Sequence, residues 1–304
     1  MARLFDAYII VDWSAAARPV TGANSIWVGW LTEATNEKRK FARENPRTRR
    51  EARTLIETLA LDLISRGKRV LIGFDFAMGY PAGTAASLGL DTSQDPAWKA
   101  MHLFLSQTLE DHADNSNNRF EFAARLNAVM TSASHPFWGA PASKASPTLS
   151  ATKGDFKQMG SLPEHRLSEH WIRTQFRAHP KTVWQLLGAG AVGSQSLLGI
   201  PTVSYLRARM PGAQIWPFET GFQSMTSKRL ENTSCVLAEI YPSTVPITPR
   251  TGEILDELQV RMLSERLESL DSAGSLGDAF DFPNSISDRE LHKIIDEEGW
   301  ILAK

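Results

Sequence analysis

Residues 69–76 read RVLIGFDF, an almost unbroken apolar run with a single acid, and no other stretch constrains the chain as much. A half-buried strand alternates apolar and polar side chains, whereas a run this continuous suits a strand covered on both faces, as parallel strands are in α/β proteins. The preceding segment agrees. Residues 49–66 place Ala52, Leu55, Ile56, Leu59, Leu63 and Ile64 at helical spacing, and Gly67 follows as a C-terminal stop. Ahead of that helix, YIIVDWSA (Tyr8–Ala15) and SIWVGWLT (Ser25–Thr32) are β-rich, and a short third strand is expected over Glu37–Ala42. Arg18–Gly22 carries Pro and Gly between the first two, which predicts antiparallel pairing there. The order is β-β-β-α-β, with Asp12 late in the first strand and Asp75 late in the fourth.

The remainder is less regular. Proline and glycine punctuate Gly79–Leu149, with helices expected at Trp98–Glu110 and Arg119–Met130 and a further one at Pro163–His179. Strands are expected at Ala213–Glu219 and Ser234–Tyr241, and an amphipathic helix over Glu253–Leu270. The tail, His292–Ala303, reads as a helix closing with an apolar plug of Trp300, Ile301 and Leu302. A length of 304 residues exceeds the roughly 100–200 of a typical domain; the reading adopted is one elaborated α/β domain over 1–304 with a helical insertion at 80–180. No segment is apolar and long enough to span a bilayer, so a cytoplasmic enzyme is expected. Cys235, the sole cysteine, excludes an intrachain disulfide and a thiolate zinc site, and its apolar setting predicts a core residue. With a net charge of −1, any nucleic-acid binding has to rely on a local patch.

Several blocks carry a resemblance: VDWS (Val11–Ser14), IGFDFAMGYP (Ile72–Pro81), WQLLGAGAVGSQSLLGIP (Trp184–Pro201), WPFET (Trp216–Thr220), AEIYPS (Ala238–Ser243) and EEGWIL (Glu297–Leu302). Together, across nearly the whole chain, they resemble a domain family of unknown function whose members are regarded as predicted nucleases of the ribonuclease H fold. The resemblance implies a mixed sheet, three antiparallel strands followed by parallel ones, with helices on both faces and the first and fourth strands adjacent. Chains similar to these also carry labels from molybdopterin or cobalamin biosynthesis.

On that frame the acids take meaning. An unpaired carboxylate at the end of a buried strand is costly and invites a cation or several hydrogen bonds. Asp12 and Asp75 share this character, and neighbouring strands would bring them together to hold magnesium or manganese, with water and substrate phosphate completing the shell. Glu239, which interrupts an apolar run before Pro242, is the expected third ligand, as the family's pattern implies; Glu219 competes. The fold implies a fourth acid on the last core helix, here Asp256, with Glu257 and Asp271 behind it. Asp256 would act as ligand or base.

Gly188–Gly193 spells G-x-G-x-x-G, but no carboxylate follows at the spacing a dinucleotide site needs, and Pro201 is expected to end the next helix early. The turn remains a candidate phosphate cradle, with Gly190, Gly193, Gln185 and Gln195 as substrate contacts and Trp184 as a stacking surface. Lys38, Arg39, Lys40, Arg43, Arg47, Arg49, Arg50 and Arg53 form the densest basic stretch, either a phosphate-neutralising patch or a solvated face. His165 and His170 are five apart, which predicts different helical faces and no zinc motif. The leading expectation is a magnesium- or manganese-dependent nuclease or phosphodiester hydrolase, acting on nucleic acid or a small phosphodiester. The alternatives are an actin-like or sugar-kinase-type nucleotide-binding phosphotransferase and a non-catalytic protein linked to molybdopterin or cobalamin metabolism. The oligomeric state is open.

Overall fold

The computed structural model describes residues 3–33, 39–156, 162–176 and 178–303, and among them the strands form one seven-stranded mixed sheet. Strands β1 (Ala7–Asp12), β2 (Trp27–Glu33) and β3 (Arg39–Glu44) pair antiparallel, and β1 also pairs in parallel with β4 (Val70–Phe74). Next to β4 lies β6 (Cys235–Ile240), also parallel. The far side of β6 is shared end to end by two short parallel strands, β5 (Ala213–Ile215) and β7 (Ile301–Leu302). The expected third strand began at Glu37; residues 34–38 lie outside the described set, and β3 runs from Arg39.

The pleat sorts side chains to two cores. Ile9, Val11, Ile72, Phe74 and Leu237 face one, where they meet helix α1 (Arg49–Ser65), helices α3 (Ala97–Thr108) and α4 (Arg119–Thr131), and helix α6 (Gly193–Arg209). Tyr8, Ile10, Leu71, Val236, Ala238 and Ile240 face the other, against Val260, Leu263 and Leu267 of helix α7 (Leu255–Ser272). Coverage on both sides is why RVLIGFDF is apolar at nearly every position. Helix α1 starts where Thr48 accepts the N–H of Glu51, and ends where Gly67, at φ +71°, turns back to Ile64 O.

Three expectations need correction, the first being the strand expected over Ala213–Glu219, which ends at Ile215 and gives way to a turn. Helix α6 does not stop at Pro201 but runs through it to Arg209. Proline removes one N–H and strains one turn, yet ten residues of this helix are buried, and that packing outweighs the local cost. The tail is not a helix up to its apolar plug: α8 (Asp288–Lys293) and a wider turn end at Gly299, and Ile301–Leu302 pair with Glu239 and Ile240 as β7.

Between β4 and α6 the described residues carry α2 (Thr84–Ser87), α3, α4 and α5 (Leu167–Phe176), and no strand of the sheet. The C-terminal segment ties this region down. Glu297 accepts the N–H groups of Gly83 and Ala85, each at 2.6 Å, and Glu298 accepts those of Ala82 and Leu167 at 3.0 and 2.8 Å. Gly79 makes the approach possible, because a Cβ there would lie 2.3 Å from Glu297 O. No helix among the described residues is long and apolar enough to cross a membrane.

At the opposite end of the sheet Asp271 is buried and accepts the N–H groups of Leu4 and Phe5 at 2.8 and 2.9 Å and the Tyr8 hydroxyl at 2.6 Å. It anchors the N-terminal segment and stands apart from the other acids. Asp271→Ala is expected to cost about 3 kcal/mol or more in denaturant unfolding, since three donors lose their acceptor, while leaving ligand binding at the other end of the sheet unchanged.

Candidate functional site

Asp12 is the last residue of β1, and Asp75 follows directly on the last residue of β4. The register sets Val11 beside Phe74, so both chains leave the sheet at the same level. By the period of two, Asp12 shares a face with Tyr8 and Ile10, and Asp75 shares it with Leu71. Both carboxyls are thereby delivered to the α7 side of the sheet, where they interact with one another. Asp75 also accepts the N–H of Trp13 at 2.7 Å.

Their electrostatics follow from burial. Asp12 is held well above the usual carboxylate range, first by desolvation and then by the nearby charges of Asp75 and Asp256. Desolvation pushes Asp75 up to about 7 against the opposing hydrogen bonds from Trp13 and Asp12. The pair therefore keeps at least one proton at neutral pH. Asp256, in the first turn of α7, is half-buried and accepts the N–H of Asn24 at 2.6 Å; desolvation raises it too.

These three aspartates line an open cleft of about 530 Å³ beyond the C-terminal ends of β1, β4 and β6. Glu239 lines it as well, but not beside the pair. It aligns with Phe74 in the register, so its side chain lies on the opposite face from Asp75. There it is taken up by Arg166, which reaches both carboxylate oxygens at 2.8 and 2.6 Å while also bonding Glu169 and Glu298 O. One guanidinium thus serves two buried glutamates, and desolvation raises both of them even so. Among the described residues no group of three or more acid, histidine or cysteine side chains is arranged to hold a metal ion. The expected trio of Asp12, Asp75 and Glu239 is therefore a pair with a separately bridged glutamate.

The glycine-rich turn comes to the same cleft. Gly188, Gly190, Ser194 and Gln195 line it, and Gln195 Nε2 donates to Trp13 O at 2.5 Å, fastening the start of α6 to the chain after β1. Gly193 has a structural role: its N–H bonds Gln185 O at 2.9 Å, and a Cβ would sit 2.4 Å from Val183 O. No strand of the sheet precedes the turn, unlike a dinucleotide-binding unit. Gln185 turns its amide to Leu187 O and lies outside the cleft lining. Trp184, expected as a stacking surface, is fully buried between Tyr80 and Phe137 and bonds Pro163 O; its size made it a core residue, not a ligand contact.

The rival acids sort cleanly. Glu219 accepts the N–H of Ile215 and pairs with Arg207, while Glu257 pairs with Arg43. Of the basic stretch, Arg39 bonds Asp6 O and Glu268, Arg49 pairs with Asp111, and Arg53 lies over the Tyr205 ring. Arg49 also donates to Ser14 O and Ala16 O at 3.1 and 2.8 Å, holding the loop after Asp12. Helix α5 begins at Leu167, so His165 precedes it and meets His170 edge to face at 5.6 Å, closer than separate helical faces would allow. Arg166, Arg119 and Lys181 were not legible as site residues, because a single cation in a polar segment carries no periodic signal.

Comparison of the chain with family models, curated proteins and solved structures finds no match.

Two outcomes are expected. Asp75 has a folded value near 7 against about 3.9 unfolded, so the native state binds the extra proton between these limits. The stability this contributes is complete below about pH 4 and lost as pH rises through about 7. In metal-free buffer the melting temperature of the wild type relative to Asp75→Asn should fall across that window; a flat difference would contradict the shared proton. Arg166→Gln should cost roughly 3–5 kcal/mol at neutral pH in urea unfolding, and less near pH 5, where Glu169 and Glu239 can take up protons.

Proposed function

We propose that the cleft performs divalent-metal-assisted phosphoryl transfer, most simply hydrolysis of a phosphate ester, with Asp12 and Asp75 carrying the ion. The observation that supports this is the pair itself: two half-buried carboxylates, from adjacent parallel strands, that both favour holding a proton, which a cation could replace. The donor set suits magnesium or manganese, which bind through one or two carboxylates and keep several waters. A bound ion would supply polarisation of a phosphoryl oxygen and a lowered water pKa. Strand order β3-β2-β1-β4-β6, antiparallel then parallel, supports a ribonuclease H-like reading of the fold.

The remaining roles fall to this chain's own side chains. Asp256, raised by burial and lining the cleft, is placed to take a proton from attacking water as general base. Gln195 and Arg49 fix the loop that carries Trp13–Ala16, and so fix the position of Asp12. Arg166 neutralises Glu239 and Glu169, which keeps further negative charge away from an anionic substrate.

Manganese at a hundredfold excess over its dissociation constant should stabilise the wild type by about 2.7 kcal/mol. Asp12→Asn and Asp75→Asn should each abolish that gain and reduce manganese-dependent hydrolysis of bis(p-nitrophenyl) phosphate on the order of 100-fold or more. Undiminished activity in either variant would sink this reading.

A further inference from the structure

Arg119 is a cation in an expensive place. It is the first residue of α4, where the positive end of the helix dipole disfavours it, and most of its guanidinium is withdrawn from solvent. Burial and the charge of Arg49 draw its pKa down to about 10. Its hydrogen bonds among the described residues go to neutral groups only, Nε to Ser194 Oγ at 3.0 Å and Nη1 to Asn117 Oδ1 at 2.8 Å, and its underside rests on the Phe120 ring at 4.4 Å. Ser194 Oγ in turn donates to Leu186 O at 2.7 Å, so the guanidinium is positioned through a built relay. Asp111 and Glu121 lie near enough to favour the charge but are bonded to Arg49 and Lys144. A largely buried guanidinium whose own hydrogen bonds go to neutral groups therefore keeps the capacity to take an anion.

Lys181 adds an exposed cation beside the glycine turn. Its stem passes over Gly190, with Cγ 3.6 Å from where a Cβ would stand, and it makes no ion pair among the described residues. Both cations line the cleft that Asp12, Asp75 and Asp256 line. Arg166, the other cation of that cleft, is already neutralised by its two glutamates.

We propose that Arg119 and Lys181 hold a phosphate group of a small, nucleotide-sized substrate, and that the cleft takes such a molecule and not a nucleic-acid chain. The chemistry rests on the phosphoryl-transfer reading above, but the residues are different ones. A volume of about 530 Å³ is in the range of small-molecule sites. A polymer would need a basic track leading away from the cleft. Three arginines of the basic stretch are drawn away from such a track by ion pairs, Arg39 with Glu268, Arg43 with Glu257 and Arg49 with Asp111.

The test is calorimetry of the full chain in chelator, with inorganic pyrophosphate and with a single-stranded oligodeoxynucleotide as probes. Pyrophosphate should bind the wild type, and Arg119→Gln and Lys181→Ala should each weaken it roughly tenfold or more, with Arg119→Lys retaining part of the affinity. Lys181 is exposed, so Lys181→Ala keeps the test valid should Arg119→Gln fold poorly. The titration is run without divalent metal, so a failure of the metal reading would leave this result standing. Absence of pyrophosphate binding, undiminished binding in Lys181→Ala, or tighter and steeply salt-dependent binding of the oligonucleotide would each overturn the proposal.

Discussion

A carboxylate partly withdrawn from water at the end of a strand is costly, and this chain brings two together at the floor of an open cleft. Asp12 and Asp75 cannot both be ionised in that setting, and the fold answers with a shared proton and one backbone N–H from Trp13. Everything nearby serves to hold that arrangement in place. Arg49 and Gln195 clamp the chain that follows Asp12, and the parallel register of β1 and β4 keeps the two strand ends level. A site built on rigid strands in this way has little freedom to spread its carboxyls apart.

The sheet pleat divides the labour between its two faces. The aspartate pair looks toward α7, whose first turn carries Asp256, whereas Glu239 looks toward the inserted helices and is consumed by Arg166. Arg166 joins three parts of the chain at one guanidinium, namely its own segment through Glu169, the sheet through Glu239 and the C-terminal segment through Glu298 O. Glu297 and Glu298 add four N–H acceptances to the same junction. Such a buried network gives little net stability but penalises any other relative placement of its parts. The cleft between them keeps its shape for the same reason.

How much of this the sequence disclosed depends on the range of the interaction. Local period and turn chemistry were enough for α1, β4, α4 and the first three strands, since apolar spacing and the Gly67 stop are decided within a few residues. Asp12 and Asp75 were legible because each breaks an apolar pattern at the end of a strand, whereas Asp256 was reached only through the family resemblance, which implies an acid on the last core helix. Glu239 broke the pattern too, but its facing depends on alignment with Phe74, a long-range register that no local signal encodes. Trp184 failed for a related reason: an indole beside a glycine turn looks like a platform until Tyr80 and Phe137 arrive from elsewhere in the chain. Pro201 shows the same override, with tertiary burial outweighing a helix-breaking residue. Arg119, Arg166 and Lys181 derive their meaning wholly from partners distant in sequence.

The most direct measurement is the ionisation of the two aspartates, followed by the side-chain carboxyl resonances of ¹³C-labelled protein against pH, without metal and then with magnesium. The account predicts that in metal-free protein Asp75 titrates near 7 with Asp12 retaining its proton to higher pH, and that magnesium moves both toward the acid side. If both ionise in the ordinary carboxylate range without metal, the strand ends do not share a proton, and the chemistry built on them fails.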